Sequence, residues 1–301
     1  MRLKSSFSYG FFFTLACNLT VNKGLCQRII SQENTPVITD FSFTKIAALP
    51  KQINEASGLE NCGDSIYWTH NDGGLSVIYG LNDKGEIVKT VHLKNKNRGW
   101  EDLTFDSSNN LYIAATGNNK GDKGDLKIYK IPNPNTISDP IILAQTISFT
   151  YSDNPSKKSY DSDALVAIGD SLYIFTKNRT VPNDGMVHMY ALPNEPGKYI
   201  AQEIDSFKLE GAQFDNWITG ADISEDGELL ALLFHRKILF VEKIKGRLFS
   251  EGKFTWLNLD HFSHKAGIVI MNKNTIYIVD ELEMDILGGN FYHLNLQYFK
   301  E

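Results

Sequence analysis

Short apolar segments that carry an aromatic residue recur along the whole chain. The aromatic residues are Tyr79, Tyr129, Tyr190, Phe240 and Tyr292, and they are spaced by 50, 61, 50 and 52 residues. A spacing near 50 residues indicates a repeated supersecondary unit, because such a unit cannot bury its apolar face alone and has to pack on its neighbours. The pattern therefore predicts a ring or stack of similar units.

Further strand signals lie around each of these segments. Upstream runs rich in β-branched, aromatic and aliphatic residues cover 65–69, 110–115, 171–176, 228–233 and 275–280, each after a turn signal of Gly, Asn, Asp or Ser. Before the turns lie shorter segments of smaller residues, at 56–60, 102–105, 164–168, 221–224 and 266–270. Alternating fourth strands are clearest at 86–93 and 142–150. Each unit is thus predicted to hold four antiparallel strands.

The fold class follows from these strands. No segment has a convincing long helical period, so the chain is predicted to be all-β. Four-stranded units repeated around an axis form a β-propeller, which protects sheet edges by radial repetition. We predict five blades, closed by a strand at 41–49 that joins the last unit. Six blades would need a further unit, for which 132–160 is available, and a β-sandwich would show no period near 50 residues.

The first 26 residues have the pattern of an export signal. Arg2 and Lys4 precede an apolar stretch at 9–17 that is too short to span a bilayer, and the sequence before Gln27 fits a cleavage site. A second interpretation is a lipoprotein signal with Cys17 as the lipid attachment site.

The predicted organisation is a signal peptide at 1–26, an N-terminal extension at 27–40 and one propeller domain at 41–301. We therefore expect an exported protein, periplasmic or extracellular. The rest of the chain has no stretch that predicts a transmembrane helix, and we expect a monomer.

Charge narrows the range of partners. Lys and Arg total 30 against 36 Asp and Glu, a formal net charge of −6. Removing residues 1–26 would take away Arg2, Lys4 and Lys23 and no acidic residue, so 27 basic and 36 acidic residues would give −9. This charge balance argues against nucleic acid as a partner, because binding phosphate backbones needs a basic surface. Of the three cysteines, Cys62 alone would remain, so no internal disulfide can form.

Acidic residues recur where the first strands begin. In a propeller blade these positions should converge on the axis together with the ends of the second strands. We predict a divalent cation, Ca²⁺, on Glu55, Glu101, Asp163 and Asp222, because hard cations take six to eight oxygen ligands. Alternatively, these carboxylates accept backbone N–H groups of the neighbouring unit and fix the contact between units.

The loops after the second strands are unusually polar, and we predict that they bind a ligand. The predicted ligand-binding residues are His70, Asn71, Asp72, Asn118, Asn119, Lys177, Arg179 and Arg236. Turn chemistry explains Asn and Asp there, whereas it does not explain the basic residues. The expected partner is a polar or anionic small molecule, a glycan or a protein. Trp100 and Trp217 precede first strands and either pack units together or stack on a flat ligand.

Catalytic signatures for nucleophilic serine, zinc and nucleotide chemistry are absent from the sequence. The favoured function is an exported propeller that binds a polar ligand at its loop face. The alternative is a Ca²⁺-dependent hydrolase of an ester, lactone or phosphoester, in which His70 or His235 is the candidate general base.

Several of these segments also resemble a group of secreted bacterial β-propeller proteins of the Bacteroidetes type, related to NHL-repeat and gluconolactonase-like propellers. The segments that carry the resemblance are 55–59 (EASGL), 68–74 (WTHNDGG), 100–103 (WEDL), 117–119 (GNN), 161–165 (DSDAL) and 219–223 (TGADI). The resemblance covers residues 41–299 and implies a propeller fold. The group often begins its last blade with Gly-Glu-Ala, whereas this chain has Lys265, Ala266 and Gly267, which removes one candidate ligand.

Overall fold

The structure is a computed structural model that describes residues 28–124, 126–152, 161–243 and 246–299. The predicted signal peptide and Cys17 lie outside the described residues. The described helices are three short 3-10 turns at Pro134–Thr136, Phe214–Asn216 and Phe249–Glu251. Among the described residues, none forms a helix long and apolar enough to cross a membrane. The fold is all-β, as predicted.

Five units of antiparallel strands follow one another in the described chain, and we number them 1 to 5. Units 2 and 3 join in one nine-stranded sheet, because their fourth strands pair in parallel. Their first strands are Ala56–Glu60, Asp102–Phe105, Asp161–Ile168, Gly220–Ile223 and Lys265–Asn272. Their second strands are Tyr67–Asn71, Leu111–Ala115, Ser171–Lys177, Leu229–Leu233 and Thr275–Asp280. Their third strands are Val77–Leu81, Leu126–Ile131, Met186–Pro193, Lys237–Glu242 and Asn290–Leu296. The fourth strands of units 1 to 4 are Ile87–Leu93, Gln145–Tyr151, Gly197–Leu209 and Lys253–Asn258.

The fourth strand of unit 5 comes from the other end of the chain. Phe41–Ala48 pairs antiparallel with Asn290–Leu296, which is the pairing expected for the segment 41–49. Each first strand packs against the first strands of its two neighbours, and that of unit 5 packs against that of unit 1. Antiparallel sheets arranged around an axis in this way form a β-propeller.

Apolar clusters lie between successive units, including units 5 and 1. The sheets are therefore covered on both faces, which explains why strands such as Leu229–Leu233 are apolar throughout and fully buried. Each large apolar side chain buried in this way contributes roughly 1.5–3 kcal/mol to stability. Small residues crowd the axis as predicted: a Cβ atom on Gly267 would lie 2.5 Å from the carbonyl carbon of Gly58.

The segment before the ring runs along its outer edge. Ile29–Ile30 pairs with the fourth strand of unit 3, and Val37–Ile38 pairs with that of unit 4, both in parallel. One strand boundary differs from the prediction at 142–150. Ile141–Ile142 instead joins the fourth strand of unit 1, and Gln145–Tyr151 forms the fourth strand of unit 2. The predicted strand is divided in two because this segment passes from unit 1 to unit 2 and pairs with a strand of each.

Candidate functional site

The starts of the first strands and the ends of the second strands meet at one face and enclose a cavity of about 170 Å³, which we call the central pocket. Every unit contributes a side chain. The lining residues are Ser57, Asp72, Glu101, Asn119, Asp163, Lys177, Arg179, Phe214, Trp217, Thr219, His235, Phe262, His264, Ala266, Glu281 and Glu283. The convergence predicted from the repeat is therefore present.

Three carboxyl groups in the central pocket have a raised pKa because each is buried close to other carboxylates. Burial, Glu281 and Asp163 raise the pKa of Asp72 to about 6. Burial raises the pKa of Asp163 to about 6 although Lys177 acts in the opposite direction. The pKa of Glu101 is raised well above its ordinary value by burial and by Asp163 and Asp72. These three carboxyl groups form a cluster in which nearby positive charges do not offset burial and carboxylate repulsion.

The basic side chains of the pocket are already paired. Lys177 is buried and forms an ion pair with Asp163, and Arg179 forms one with Asp161. Burial alone would lower the pKa of Lys177, but the surrounding carboxylates outweigh it and raise that pKa. The protein's own carboxylates thus neutralise the charges of Lys177 and Arg179 in the absence of a ligand.

Aromatic rings form another wall of the central pocket. The rings of Phe214 and Trp217 pack at 5.3 Å between centroids. Arg179 places its guanidinium carbon 4.5 Å from the Trp217 ring centroid, and the Lys177 ammonium lies 5.6 Å from it. Of the two predicted alternatives for tryptophan, Trp217 lines the pocket, whereas Trp100 is fully buried and packs between units 1 and 2.

Two histidines stand side by side in the pocket, with ring centroids 4.8 Å apart. Burial and His264 lower the pKa of His235 to about 3, so His235 is neutral at physiological pH. Burial acts to lower the pKa of His264, but its hydrogen bond with Glu281 outweighs burial and raises that pKa. The His264 Nδ1 atom lies 3.1 Å from the Glu281 carboxylate. The pKa values of the two neighbouring rings are therefore shifted in opposite directions.

Seven of the predicted site residues line the central pocket: Asp72, Glu101, Asn119, Asp163, Lys177, Arg179 and His235. Three others take part in loop structure instead. Glu55 accepts a hydrogen bond from the Gly73 N–H at 3.1 Å. Asn71 accepts one from the Glu55 N–H, also at 3.1 Å, and Asn118 accepts one from the Lys123 N–H at 3.0 Å.

Two further predicted residues lie away from the central pocket. His70 is fully buried, its Nδ1 atom is 3.1 Å from the Asn71 carbonyl oxygen, and its ring packs on Trp100. Burial lowers the pKa of His70 to about 4. This placement disfavours His70 as a general base, because a base has to reach the substrate. Arg236 pairs with Asp215 at 2.5 Å and lines a different cavity.

Asp222 lies deeper along the axis and is separate from the predicted metal ligands that line the pocket. It accepts backbone N–H groups from Ile270 of unit 5 at 2.6 Å and from Ile223 at 2.7 Å. Burial raises its pKa to about 7 although these hydrogen bonds act in the opposite direction. Asp222 therefore matches the alternative interpretation, in which a carboxylate fixes the contact between units.

Asp102 has the same arrangement and connects three units. Its carboxylate accepts the N–H groups of Leu103 and Leu165, each at 2.9 Å, and that of Ala221 at 3.1 Å. Its side chain is fully buried, and burial raises its pKa against the effect of the three hydrogen bonds.

One glycine makes room for the pocket carboxylates. A Cβ atom on Gly117 would lie 1.7 Å from Oε1 of Glu101, so a side chain at this position would displace that carboxylate. The sequence marks Gly117 as a turn residue, and the structure adds a steric reason for it.

Sequence reasoning did not assign a role to several lining residues. Phe214, Phe262 and His264 lie in connections that lead from a fourth strand to the next first strand, whereas the prediction concentrated on loops after second strands. What these residues share in the sequence is their place just before a first strand, and every such connection ends at the pocket face. Glu281 and Glu283 lie in the polar loop after the last second strand, and the sequence assigns neither of them a function.

Among the described residues, no group of three or more His, Cys, Asp or Glu side chains is arranged to hold a metal ion. The Ca²⁺ ion stays a prediction from the sequence.

Comparisons with known proteins add structural neighbours. A scan against protein-family models and a search of curated proteins gave no match. An inactive variant of virginiamycin B lyase from Staphylococcus aureus with quinupristin is similar at 16% identity and TM-score 0.42, over 82% of this chain and 68% of that chain. The PQQ-bound aldose sugar dehydrogenase of Streptomyces coelicolor has 8% identity and TM-score 0.49, over 86% and 99%. The pyranose dehydrogenase PQQ domain of Coprinopsis cinerea has 8% identity and TM-score 0.45, over 88% and 100%. At these values we draw no conclusion about ligand or reaction.

Proposed function

We propose that the central pocket binds a small polar molecule that carries a protonated amine. The observation that carries this proposal is an excess of carboxyl groups. Five acidic side chains line the pocket: Asp163 pairs with Lys177, Glu281 and Glu283 lie within 3.6 Å of His264, and Asp72 and Glu101 have no basic partner within 4.0 Å among the described residues. Arg179 already pairs with Asp161. A bound ammonium group would relieve the repulsion among these carboxylates, which an anionic ligand would increase. The proposed ligand is therefore cationic, whereas the sequence predicted a polar or anionic small molecule.

The aromatic wall supports a cationic ligand as well. Rings attract cations through their negative faces, and the Trp217 ring already carries Arg179 at 4.5 Å. Phe214 and Phe262 are each about half exposed at the mouth and offer further ring surface. An amine held by carboxylates and flanked by rings is therefore well matched to this environment.

Cavity size limits the ligand. A volume of about 170 Å³ is below the roughly 300–1,000 Å³ of pockets that enclose drug-sized molecules. The pocket accordingly suits a single amino sugar, a short aliphatic amine or the terminal group of a larger glycan or protein chain.

Glucosamine and glucose provide a matched pair of probes, because they differ in an amine and a hydroxyl group. In calorimetric titrations at about pH 7, we expect glucosamine to bind and glucose to bind at least tenfold more weakly. Glu101→Gln should weaken glucosamine binding, whereas Asp170→Asn, an exposed turn variant at the opposite face, should not. Equal affinity for both sugars, or for both variants, would contradict the proposal. A parallel titration with Ca²⁺ tests the metal predicted from the sequence.

A hydrolase is the second candidate, favoured by one observation. His235, one of the two predicted general bases, lines the pocket beside carboxyls whose pKa is raised to about 6. Carboxyls with a pKa of about 6 are suitable for proton transfer near neutral pH, whereas His235, with a pKa of about 3, is a neutral hydrogen-bonding partner and a weak base. Turnover of an ester, lactone or phosphoester panel that is lost in His235→Gln would support this candidate.

We further infer that the five units are the blades of a five-bladed propeller. The apolar cluster between units 5 and 1 and the contact of their first strands support this count.

A further inference from the structure

A second and larger cavity lies beside the central pocket, between the N-terminal extension and unit 4. Its volume is about 520 Å³, and we call it the side cavity. It is lined by residues 31–33, 210–212, 215–216, 235–237 and 258–259. His235 lines both cavities, so the two sites are neighbours that share one wall.

The side cavity contains a buried ammonium group with no counter-ion. Lys237 is 7% exposed, and its Nζ atom lies 4.4 Å from the Trp256 ring centroid and 5.3 Å from that of Phe234. Among the described residues, no carboxylate lies within 4.0 Å of this ammonium. Burial lowers the pKa of Lys237 to about 8 against the longer-range attraction of Asp215, which leaves Lys237 mostly protonated at neutral pH. An unpaired buried charge is costly, and cation–π contacts offset only a part of that cost.

A neighbouring amide has an unused donor. Asn216 is 8% exposed, and its Oδ1 atom accepts a hydrogen bond from Lys237 Nζ at 3.1 Å. This contact fixes the orientation of the amide, because an ammonium group can only donate. The Asn216 Nδ2 atom is then left without an acceptor in the described part of the chain. The ammonium group has N–H donors left after this contact, and both they and the amide N–H beside them can bind a further acceptor.

The other charged side chains of the side cavity indicate which charge a bound acceptor group should carry. Arg236 and Asp215 neutralise each other at 2.5 Å, and Glu33 and Glu210 are exposed at the rim. One unpaired positive charge therefore remains inside an otherwise acidic rim. This balance favours a group with a single negative charge over a dianion such as phosphate.

We infer that the side cavity binds a small molecule through its carboxylate, held by Lys237 Nζ and Asn216 Nδ2. This site is separate from the amine site of the central pocket, and it places a second ligand, or a second functional group, on the other side of His235.

Benzoate and acetate are suitable probes, with benzamide and acetamide as uncharged counterparts and inorganic phosphate as a dianion. We expect the carboxylates to raise the melting temperature of the wild-type protein in a concentration-dependent manner, and the amides and phosphate to have no effect at equal ionic strength. No rise with either carboxylate, or an equal rise with phosphate, would overturn the inference.

The key variant is Asn216→Asp, which supplies the missing counter-ion with almost no change in shape. We expect it to melt above the wild type without ligand and to lose the response to carboxylates, whereas the exposed turn variant Asn109→Asp should keep that response. Lys237→Met offers a second route: it should also lose the response while keeping its stability, because it removes an unpaired buried charge. A full response in either Asn216→Asp or Lys237→Met would contradict the site. Glucosamine binding in the central pocket should persist in both variants, which separates a failure here from a failure of the proposed function.

Discussion

Two sets of carboxyl groups occupy the same axis and differ in what surrounds them. The deep set, Glu60, Asp102 and Asp222, accepts backbone N–H groups from the first strands of neighbouring units. The pocket set, Asp72, Glu101 and Asp163, has no such backbone donor among the hydrogen bonds of the described residues and faces a cavity.

Glu101 and Asp102 belong to different sets although they are adjacent in sequence. Asp102 meets the first strands of three units, whereas Glu101 faces the space that Gly117 leaves open. The comparison separates carboxylates that hold neighbouring strands through their N–H groups from carboxylates that accept none, and we propose ligand binding only for the second kind.

The largest expected effect is the loss of stability in Asp102→Asn. The amide group would point N–H atoms at the backbone donors of Leu103, or at those of Leu165 and Ala221, and leave those donors unsatisfied. With about 1–3 kcal/mol for each unsatisfied buried donor, one or two such donors should lower the free energy of unfolding by about 1–6 kcal/mol in urea denaturation.

Glu101→Gln is the matched control, since it makes the same chemical change one residue earlier. We expect it to leave the free energy of unfolding within about 1 kcal/mol of the wild type or to raise it, because it removes repulsion in the pocket set. If Glu101→Gln were as destabilising as Asp102→Asn, the distinction between the two sets would be wrong.

The next largest effect is expected for Gly117→Ala. The added methyl group would overlap with the Glu101 carboxylate, so that side chain has to move. We expect a loss of about 1–3 kcal/mol in stability and at least a tenfold loss of glucosamine affinity. Gly124→Ala, in the same loop and with no atom within 4 Å of the added carbon, should change neither quantity. Unchanged affinity in Gly117→Ala would show that Glu101 is not needed for the ligand.

The smallest effect is the pH dependence of amine binding. The carboxyls of Asp72 and Asp163 have a pKa of about 6, so most of each is protonated at pH 5 and ionised at pH 7. An ammonium ligand prefers the ionised form, and its affinity should therefore rise about tenfold from pH 5 to pH 7 for each carboxyl that has to ionise. The slope should be smaller in Asp72→Asn. An affinity that falls over this range would contradict a cationic ligand.

The same pKa shifts act on stability in the opposite direction. The folded protein holds protons on these two carboxyls above pH 3.8, where the unfolded chain releases them. Their contribution to stability is therefore complete below that pH and is lost as the pH rises through about 6. A bound amine should reduce this loss.

The sequence predicted the fold better than the site. The spacing of the aromatic residues from Tyr79 to Tyr292 predicted the repeat, and the strand at 41–49 was correctly paired with the last unit. Periodicity locates strand ends, so it also located Asp72, Asp163 and Lys177 at the pocket. It could not assign the roles of Glu101 and Asp102, because those depend on which N–H groups of other units lie opposite each carboxylate.

Contacts between distant segments explain the other differences. His70 lies in a polar loop by sequence, yet the ring of Trp100 from the next unit covers it. The side cavity depends on the N-terminal extension lying along unit 4, and no local pattern predicts that pairing. The ion pairs of Lys177 and Arg179 likewise became visible only from the arrangement of the units.

A crystal structure of the protein soaked with glucosamine would show directly whether the central pocket binds an amine. We expect ligand density in the central pocket, with the amine within hydrogen-bonding distance of the Asp72 or Glu101 carboxylate and the sugar ring against the aromatic wall. Density with the amine turned away from these carboxylates, or an empty central pocket at a concentration that saturates binding in solution, would contradict it.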